Sequence, residues 1–215
     1  MVDLSGRRLY LCTADRPDLA VFLASCIRGG VDVVQLRDKV LDDRSLLARA
    51  DVAKSVCSSF GVPFILNDRP DLALACGADG VHVGQDDVPV ATARSILGPD
   101  AVIGLSTHAP AEWDAAASSQ ADYLSAGPVV ATPTKPGRPG TGLGYLRYVA
   151  STPTGSLIPW FVTGGASPET VGAMVEAGAR RFVAVRYLTE SQEPEEAARR
   201  LRAALDSALS AAGVL

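Results

Sequence analysis

The sequence predicts an α/β protein built as one closed (β/α)8 barrel. Three observations lead there. Short β-branched runs alternate with longer helical patterns from end to end, eight of each. The runs are nearly continuous in apolar character, as strands buried on both faces of a parallel sheet require. A short turn also recurs where helix passes to strand, at Gly29-Gly30-Val31-Asp32, Gly77-Ala78-Asp79-Gly80, Gln120-Ala121-Asp122 and Gly178-Ala179-Arg180. A glycine just past a helix supplies the left-handed cap, so this turn marks a repeating unit and no chemistry. Eight units in 215 residues sit at the small end of the size range of such barrels.

In chain order, the expected strands are Leu9–Thr13, Val31–Arg37, Pro63–Asn67, Gly80–Val83, Val102–Leu105, Asp122–Ala126, Trp160–Thr163 and Arg181–Arg186. The expected helices are Asp18–Arg28, Ser45–Phe60, Pro70–Cys76, Pro89–Leu97, Pro110–Ser118, Leu143–Ala150, Pro168–Glu176 and Pro194–Ala211. Prolines at the heads of several helices fit a first-turn position, where no N–H is needed. The last helix spaces Glu195 from Arg199 and Glu196 from Arg200 by four residues, the pattern of a solvated face.

At 47% hydrophobic and 20% charged, the composition is that of a globular protein. No low-complexity run or spacer interrupts the chain, so residues 1–215 are expected to form one domain. A net charge of −4 argues against nucleic acid as a partner, since a binder needs a basic face for phosphates. The N-terminus has no apolar core of a signal peptide, and no apolar run approaches the ~18 residues of a membrane span. A cytoplasmic protein is expected. Its four scattered cysteines, Cys12, Cys26, Cys57 and Cys76, read as reduced and mostly buried thiols.

The longest connection, residues 131–144, carries Thr132, Thr134, Lys135 and Arg138 among glycines and prolines. A connection of this length inside a compact domain is functional or disordered, and these side chains offer hydroxyl and cationic donors suited to phosphate. Its Gly140-Thr141-Gly142-Leu143-Gly144 run lacks the spacing of a dinucleotide fingerprint.

Barrel sites sit at the carboxyl ends of the strands, and the polar residues gather there. On the second strand Gln35 and Arg37 share a face, with Lys39 two residues on. An inward Arg–Lys pair needs an anion, either a ligand or an aspartate such as Asp38. The third strand ends in Asn67-Asp68 before Pro70, either helix caps or ligand groups. The fourth ends in Gly84-Gln85-Asp86-Asp87, so neighbouring strands each offer a carboxylate at one rim, which suits Mg²⁺ shared with a substrate's phosphates. Asp86 and Asp87 are not expected to reach the same ion. The fifth strand ends in Ser106, a donor without a nucleophile elbow, and His108. His82 and His108 are expected to be structural. Gly164-Gly165 and Val185-Arg186 fall where many barrels bind phosphate.

Taken in order, Gln35-Leu36-Arg37-Asp38-Lys39, Asn67-Asp68, His82 to Asp87, Gly104-Leu105-Ser106, Gly127-Pro128 with Thr132-Pro133-Thr134-Lys135, and Gly164-Gly165 resemble thiamine-phosphate synthase. The resemblance runs from about Leu9 to the end of the chain. It implies a TIM barrel and a transferase that joins 4-amino-2-methyl-5-(diphosphooxymethyl)pyrimidine to a thiazole phosphate, releasing pyrophosphate. It implies Mg²⁺ on Asp68 and Asp87. Gln35, Arg37, Lys39, Asn67, Ser106 and Lys135 would bind the pyrimidine diphosphate, with Lys135, Arg37 and Ser106 catalytic. Thr132, Thr134, Gly165, Val185 and Arg186 match positions that hold the thiazole phosphate.

The family reaction is dissociative, so the leaving group's charge must be neutralised and little acid–base help is needed. Closure of the Lys135 loop would keep water from the pyrimidine-methyl cation. The chain departs from the family at Ala131 (commonly Pro), Ala166 (commonly Ile) and Arg186 (commonly Ser), the last adding a cation near the thiazole phosphate. The partners expected are small phosphorylated molecules, with no nucleic acid and no membrane; a homodimer is left open. The alternatives are a thiazole tautomerase, which needs neither the diphosphate cluster nor the metal carboxylates, and a non-catalytic thiamine-phosphate sensor.

Overall fold

A computed structural model describes residues 2–132 and 139–214. The first half runs β1 (Leu9–Thr13), α1 (Leu19–Arg28), β2 (Val33–Leu36), α2 (Asp43–Ser59), β3 (Phe64–Asn67), α3 (Pro70–Ala75), β4 (Gly80–Val83) and α4 (Val90–Leu97). The second half runs β5 (Val102–Thr107), α5 (Pro110–Ala116), β6 (Tyr123–Ala126), α6 (Gly142–Ser151), α7 (Pro153–Leu157) and β7 (Trp160–Val162). It ends with α8 (Val171–Glu176), β8 (Phe182–Ala184), α9 (Arg186–Thr189) and α10 (Pro194–Ala211). The strands pair in parallel in chain order, and β8 returns to β1 through Leu9 and Phe182, closing the barrel. The expected fold is the one observed.

Two apolar layers hold it. The larger lies between the strands and the ring of helices. The smaller fills the barrel with Leu4, Tyr10, Val33, Ile65, Val102, Tyr123 and Phe161. Phe161 meets Tyr10 and Tyr123 edge-on, with ring centroids 5.2 and 5.6 Å apart, a favoured aromatic geometry. Side chains of a strand alternate, so the next inward positions are two residues along. There the interior turns polar: Cys12, Gln35, Asn67, Ser125 and Thr163 follow Tyr10, Val33, Ile65, Tyr123 and Phe161. The barrel therefore has a packed apolar floor and a hydrogen-bonding mouth.

The recurring turn has a structural job at the floor. Asp32, Asp79 and Asp122 each precede an even-numbered strand and accept backbone N–H groups from the strand before it. Asp32 takes those of Arg8 and Leu9, Asp79 that of Phe64 (2.8 Å) and Asp122 that of Ile103 (2.7 Å). Each also meets a cation from the helix layer: Arg202 at 2.9 Å, Lys54 at 2.9 Å and Arg94 at 2.7 Å. Burial pushes the Asp32 carboxyl up, against the N–H donors and Arg202. Cys26 and Cys57 are buried thiols pushed up to about 12, Cys12 is buried as well and Cys76 half-buried, which fits the expectation of mostly buried thiols.

Several boundaries differ from expectation. β8 stops at Ala184 and does not run to Arg186, because the N–H groups of Leu188 and Thr189 both return to the Val185 carbonyl and wind the chain into α9. α8 begins at Val171, not Pro168, because Thr170 Oγ1 accepts from Ser167 N (2.9 Å) and donates to Gly165 O (2.6 Å), holding a turn ahead of the helix. The short helix α7, capped by Thr152 on Gly155 N, was not foreseen either. On α10 the expected pairs form, Arg199–Glu195 at 3.0 Å and Arg200–Glu196 at 3.1 Å.

Candidate active site

The polar mouth of the barrel opens into a cavity of about 660 Å³, ringed by the carboxyl ends of the strands. On β2 the shared inward face of Gln35 and Arg37 is realised, and both line the cavity. Gln35 is 5% exposed, and its Nε2 has no hydrogen-bond partner among the described residues. A buried amide donor left unpaired is costly, so this one suits an acceptor on a ligand. Arg37 has no ion-pair partner among the described residues. Asp38 does not serve it, because that carboxylate accepts from the N–H groups of Val40, Leu41 and Asp15. Burial would raise Asp38, but those donors outweigh it and hold the carboxyl below its ordinary value.

On β3 the capping alternative fails. The N-cap of α3 is Arg69, and it makes no side-chain cap bond. Asn67 and Asp68 line the cavity instead. Asp68 has φ of +62°, a region a non-glycine residue seldom enters, and its N–H is held by the His82 carbonyl at 2.8 Å. That turn aims its carboxylate at Lys39 Nζ, 2.8 Å away, and at Asp87. Burial pushes Asp68 up, Lys39 opposes, and the neighbouring Asp87 carboxyl adds to the rise.

Asp87 is fixed from its own loop, where Oδ2 accepts the Gly84 N–H at 2.7 Å. A Cβ on Gly84 would lie 3.0 Å from that oxygen, so glycine leaves the carboxylate room. Asp86 also borders the cavity. Among the described residues no group of three or more His, Cys, Asp or Glu side chains could hold a metal ion, so the acidic pair is a two-carboxylate arrangement.

Ser106, 2% exposed near the end of β5, bonds His82 Nε2 through its Oγ at 2.8 Å. Both line the cavity, where His82 was expected to be structural. The signal was there to read, since His82 occupies an inward position of β4 and partners Asn67 in register. His108 borders the cavity too, with its ring tied to Glu112 by a 2.9 Å contact.

On the opposite side, Thr132, Gly165, Val185 and Arg186 all line the cavity. Gly164 and Gly165 each have φ of +88°, and a Cβ would meet Pro128 at 2.6 Å or Val130 at 2.7 Å, so only glycine fits. Arg186 opens α9 instead of ending β8, and it has no ion-pair partner among the described residues. The long loop is tied at its base, where Thr141 N and Gly142 N donate to the carbonyls of Pro128 (2.8 Å) and Val129 (3.0 Å). The expected site residues Thr134 and Lys135, with Arg138, lie outside the described residues.

The family model for thiamine monophosphate synthase matches residues 9–188. The thiamine-phosphate synthase of Thermobifida fusca is 48% identical, covering 97% of this chain and 96% of the relative. That of Mycobacterium bovis is 46% identical, covering 95% and 97%. Among solved structures, thiamine phosphate pyrophosphorylase from Pyrococcus furiosus superposes with a TM-score of 0.83 at 27% identity, covering 94% of this chain and 96% of that one. With the sequence matched over nearly its whole length and the barrel shared, this chain belongs to the thiamine-phosphate synthase family.

Proposed function

We propose that this transferase joins 4-amino-2-methyl-5-(diphosphooxymethyl)pyrimidine to a thiazole phosphate by a dissociative displacement. The bond between the pyrimidine methylene and the diphosphate oxygen breaks, pyrophosphate leaves, and the thiazole nitrogen takes the methylene carbon. The observation that carries this reading is one rim of the cavity, where the Asp68–Asp87 pair and Lys39 meet beside Arg37, which has no ion-pair partner among the described residues. Two adjacent carboxylates, one of them pushed up by burial and by the other, suit a shared cation.

Asp68 and Asp87 would hold Mg²⁺. Bound there, it supplies charge neutralisation for the leaving pyrophosphate. Arg37 and Lys39 supply the protein's share, with Lys135 from the long loop. Gln35 gives its buried N–H to an acceptor on the pyrimidine diphosphate, beside Asn67 and Ser106. The thiazole phosphate lies against the Gly165 backbone, Val185, Thr132 and Thr134, and Arg186 adds a cation where the family commonly has a serine. No general base is assigned, because the thiazole nitrogen attacks with its lone pair.

The test is a coupling assay on the purified protein, with product read as fluorescent thiochrome. Mg²⁺-dependent thiamine phosphate is the expected result. Thiazole phosphate binding with no product would move the chain to the tautomerase or sensor reading.

A further inference from the structure

Along the inner wall of the cavity, four side chains from four strands form one hydrogen-bonded line. Tyr10 Oη meets Tyr123 Oη at 3.0 Å, Tyr123 Oη meets His82 Nδ1 at 2.9 Å, and His82 Nε2 meets Ser106 Oγ at 2.8 Å. Ser125 Oγ also donates to Ser106 Oγ, at 3.4 Å. Gly104 makes room for the line. A Cβ there would fall 2.1 Å from the Tyr123 ring and 2.5 Å from His82 Nδ1, too close for any other residue.

The line has a direction. Tyr10 is 2% exposed and Tyr123 is fully buried, and burial pushes both phenols up, so each keeps its proton. Among the described residues Tyr123 is the only hydrogen-bond partner of the Tyr10 hydroxyl. If Tyr123 donated to Tyr10, the proton of Tyr10 would be left buried without an acceptor, a costly state. The satisfied arrangement has Tyr10 donating to Tyr123 and Tyr123 donating to Nδ1. A neutral imidazole with an accepting Nδ1 carries its proton on Nε2. That N–H points at Ser106 Oγ, which then accepts from His82 and from Ser125, so its own O–H is spent on neither of them.

We propose that His82 is a positioning residue whose tautomer, set by Tyr10 and Tyr123, holds Ser106 as a hydrogen-bond donor toward the pyrimidine diphosphate. The proposal rests on the reading of Ser106 given above and adds what that reading lacks, the sense of its hydrogen bond. An oppositely oriented line would make Ser106 donate to His82 and offer the substrate only lone pairs.

The chain has two histidines, so ¹⁵N-histidine NMR on the substrate-free protein resolves the tautomer, with His108→Gln assigning the other ring. The expected spectrum for His82 has a protonated Nε2 and an unprotonated, hydrogen-bonded Nδ1, a preference weakened by Tyr123→Phe. A protonated Nδ1, alone or with Nε2, would overturn the proposal. Because no substrate is present, this result is independent of the coupling assay. Kinetics give the second arm. His82→Leu should lower kcat by about tenfold or more, while His82→Gln, which keeps an N–H near the Nε2 position, recovers most of it. In a Ser106→Ala background His82→Leu should cost no more than about twofold further, because the two act as a unit. A full additional loss in that background would also overturn the proposal.

Discussion

Asp68 and Asp87 reach one another from different loops, and each is aimed by its own backbone: Asp68 by a left-handed turn, Asp87 by the Gly84 N–H. Asp86 borders the same cavity but is not part of that pairing. Asp87→Ala should therefore weaken the Mg²⁺ dependence of turnover far more than Asp86→Ala, by about tenfold or more in half-saturating Mg²⁺. Equal effects of the two substitutions would remove Asp87 from its role. Lys135→Ala should lower kcat by about a hundredfold or more with an unchanged far-UV spectrum, the scale of losing one charge-stabilising group. Near-normal turnover would take Lys135 out of the site. The placement of several of these side chains at the mouth was legible in the sequence. The period of two put Gln35 and Arg37 on one face, and the acidic strand ends put Asp68 and Asp87 on one rim. The inward position of His82 was readable from the period of β4, but its contacts with Tyr123 and Ser106, and through Tyr123 with Tyr10, were not, because only the closed barrel brings those strands together.

At the scale of elements, the floor of the barrel is stitched by its three aspartates. Asp79→Ala would leave the Phe64 N–H without its acceptor and Lys54 without its partner, 25 residues away in the chain. The expected loss of stability is about 1–3 kcal/mol in urea unfolding, with turnover per folded molecule unchanged, since the clamp lies at the end opposite the cavity. A loss of turnover in the folded variant would contradict that separation of floor and mouth. These aspartates were visible as a repeating turn and taken to carry no chemistry, and they hold the frame. The ends of β8 and α8 were misplaced for a common reason. Val183, Val185 and Pro168 suggest strand and helix starts by local preference, while carbonyl and hydroxyl hydrogen bonds at Val185 and Thr170 decide otherwise. The short helices α7 and α9 were missed because five or four residues carry too little periodicity to read.

For the whole molecule, division into an apolar floor and a polar mouth explains how one sequence serves both folding and chemistry. The same inward positions that pack Tyr10, Val33, Ile65 and Phe161 become, two residues later, the wall of the cavity. The barrel was legible because eight repeats of one pattern reinforce each other, whereas each boundary depends on a single turn. Among the described residues no helix is long and apolar enough to cross a membrane. The central claim is that the cavity neutralises a leaving pyrophosphate, and pyrophosphate release tests it most directly. Purified protein is given the pyrimidine diphosphate with thiazole phosphate, and pyrophosphate and thiamine phosphate are quantified together, with and without Mg²⁺. The account predicts Mg²⁺-dependent release of one pyrophosphate per thiamine phosphate formed, and no pyrophosphate release with Mg²⁺ present would contradict it.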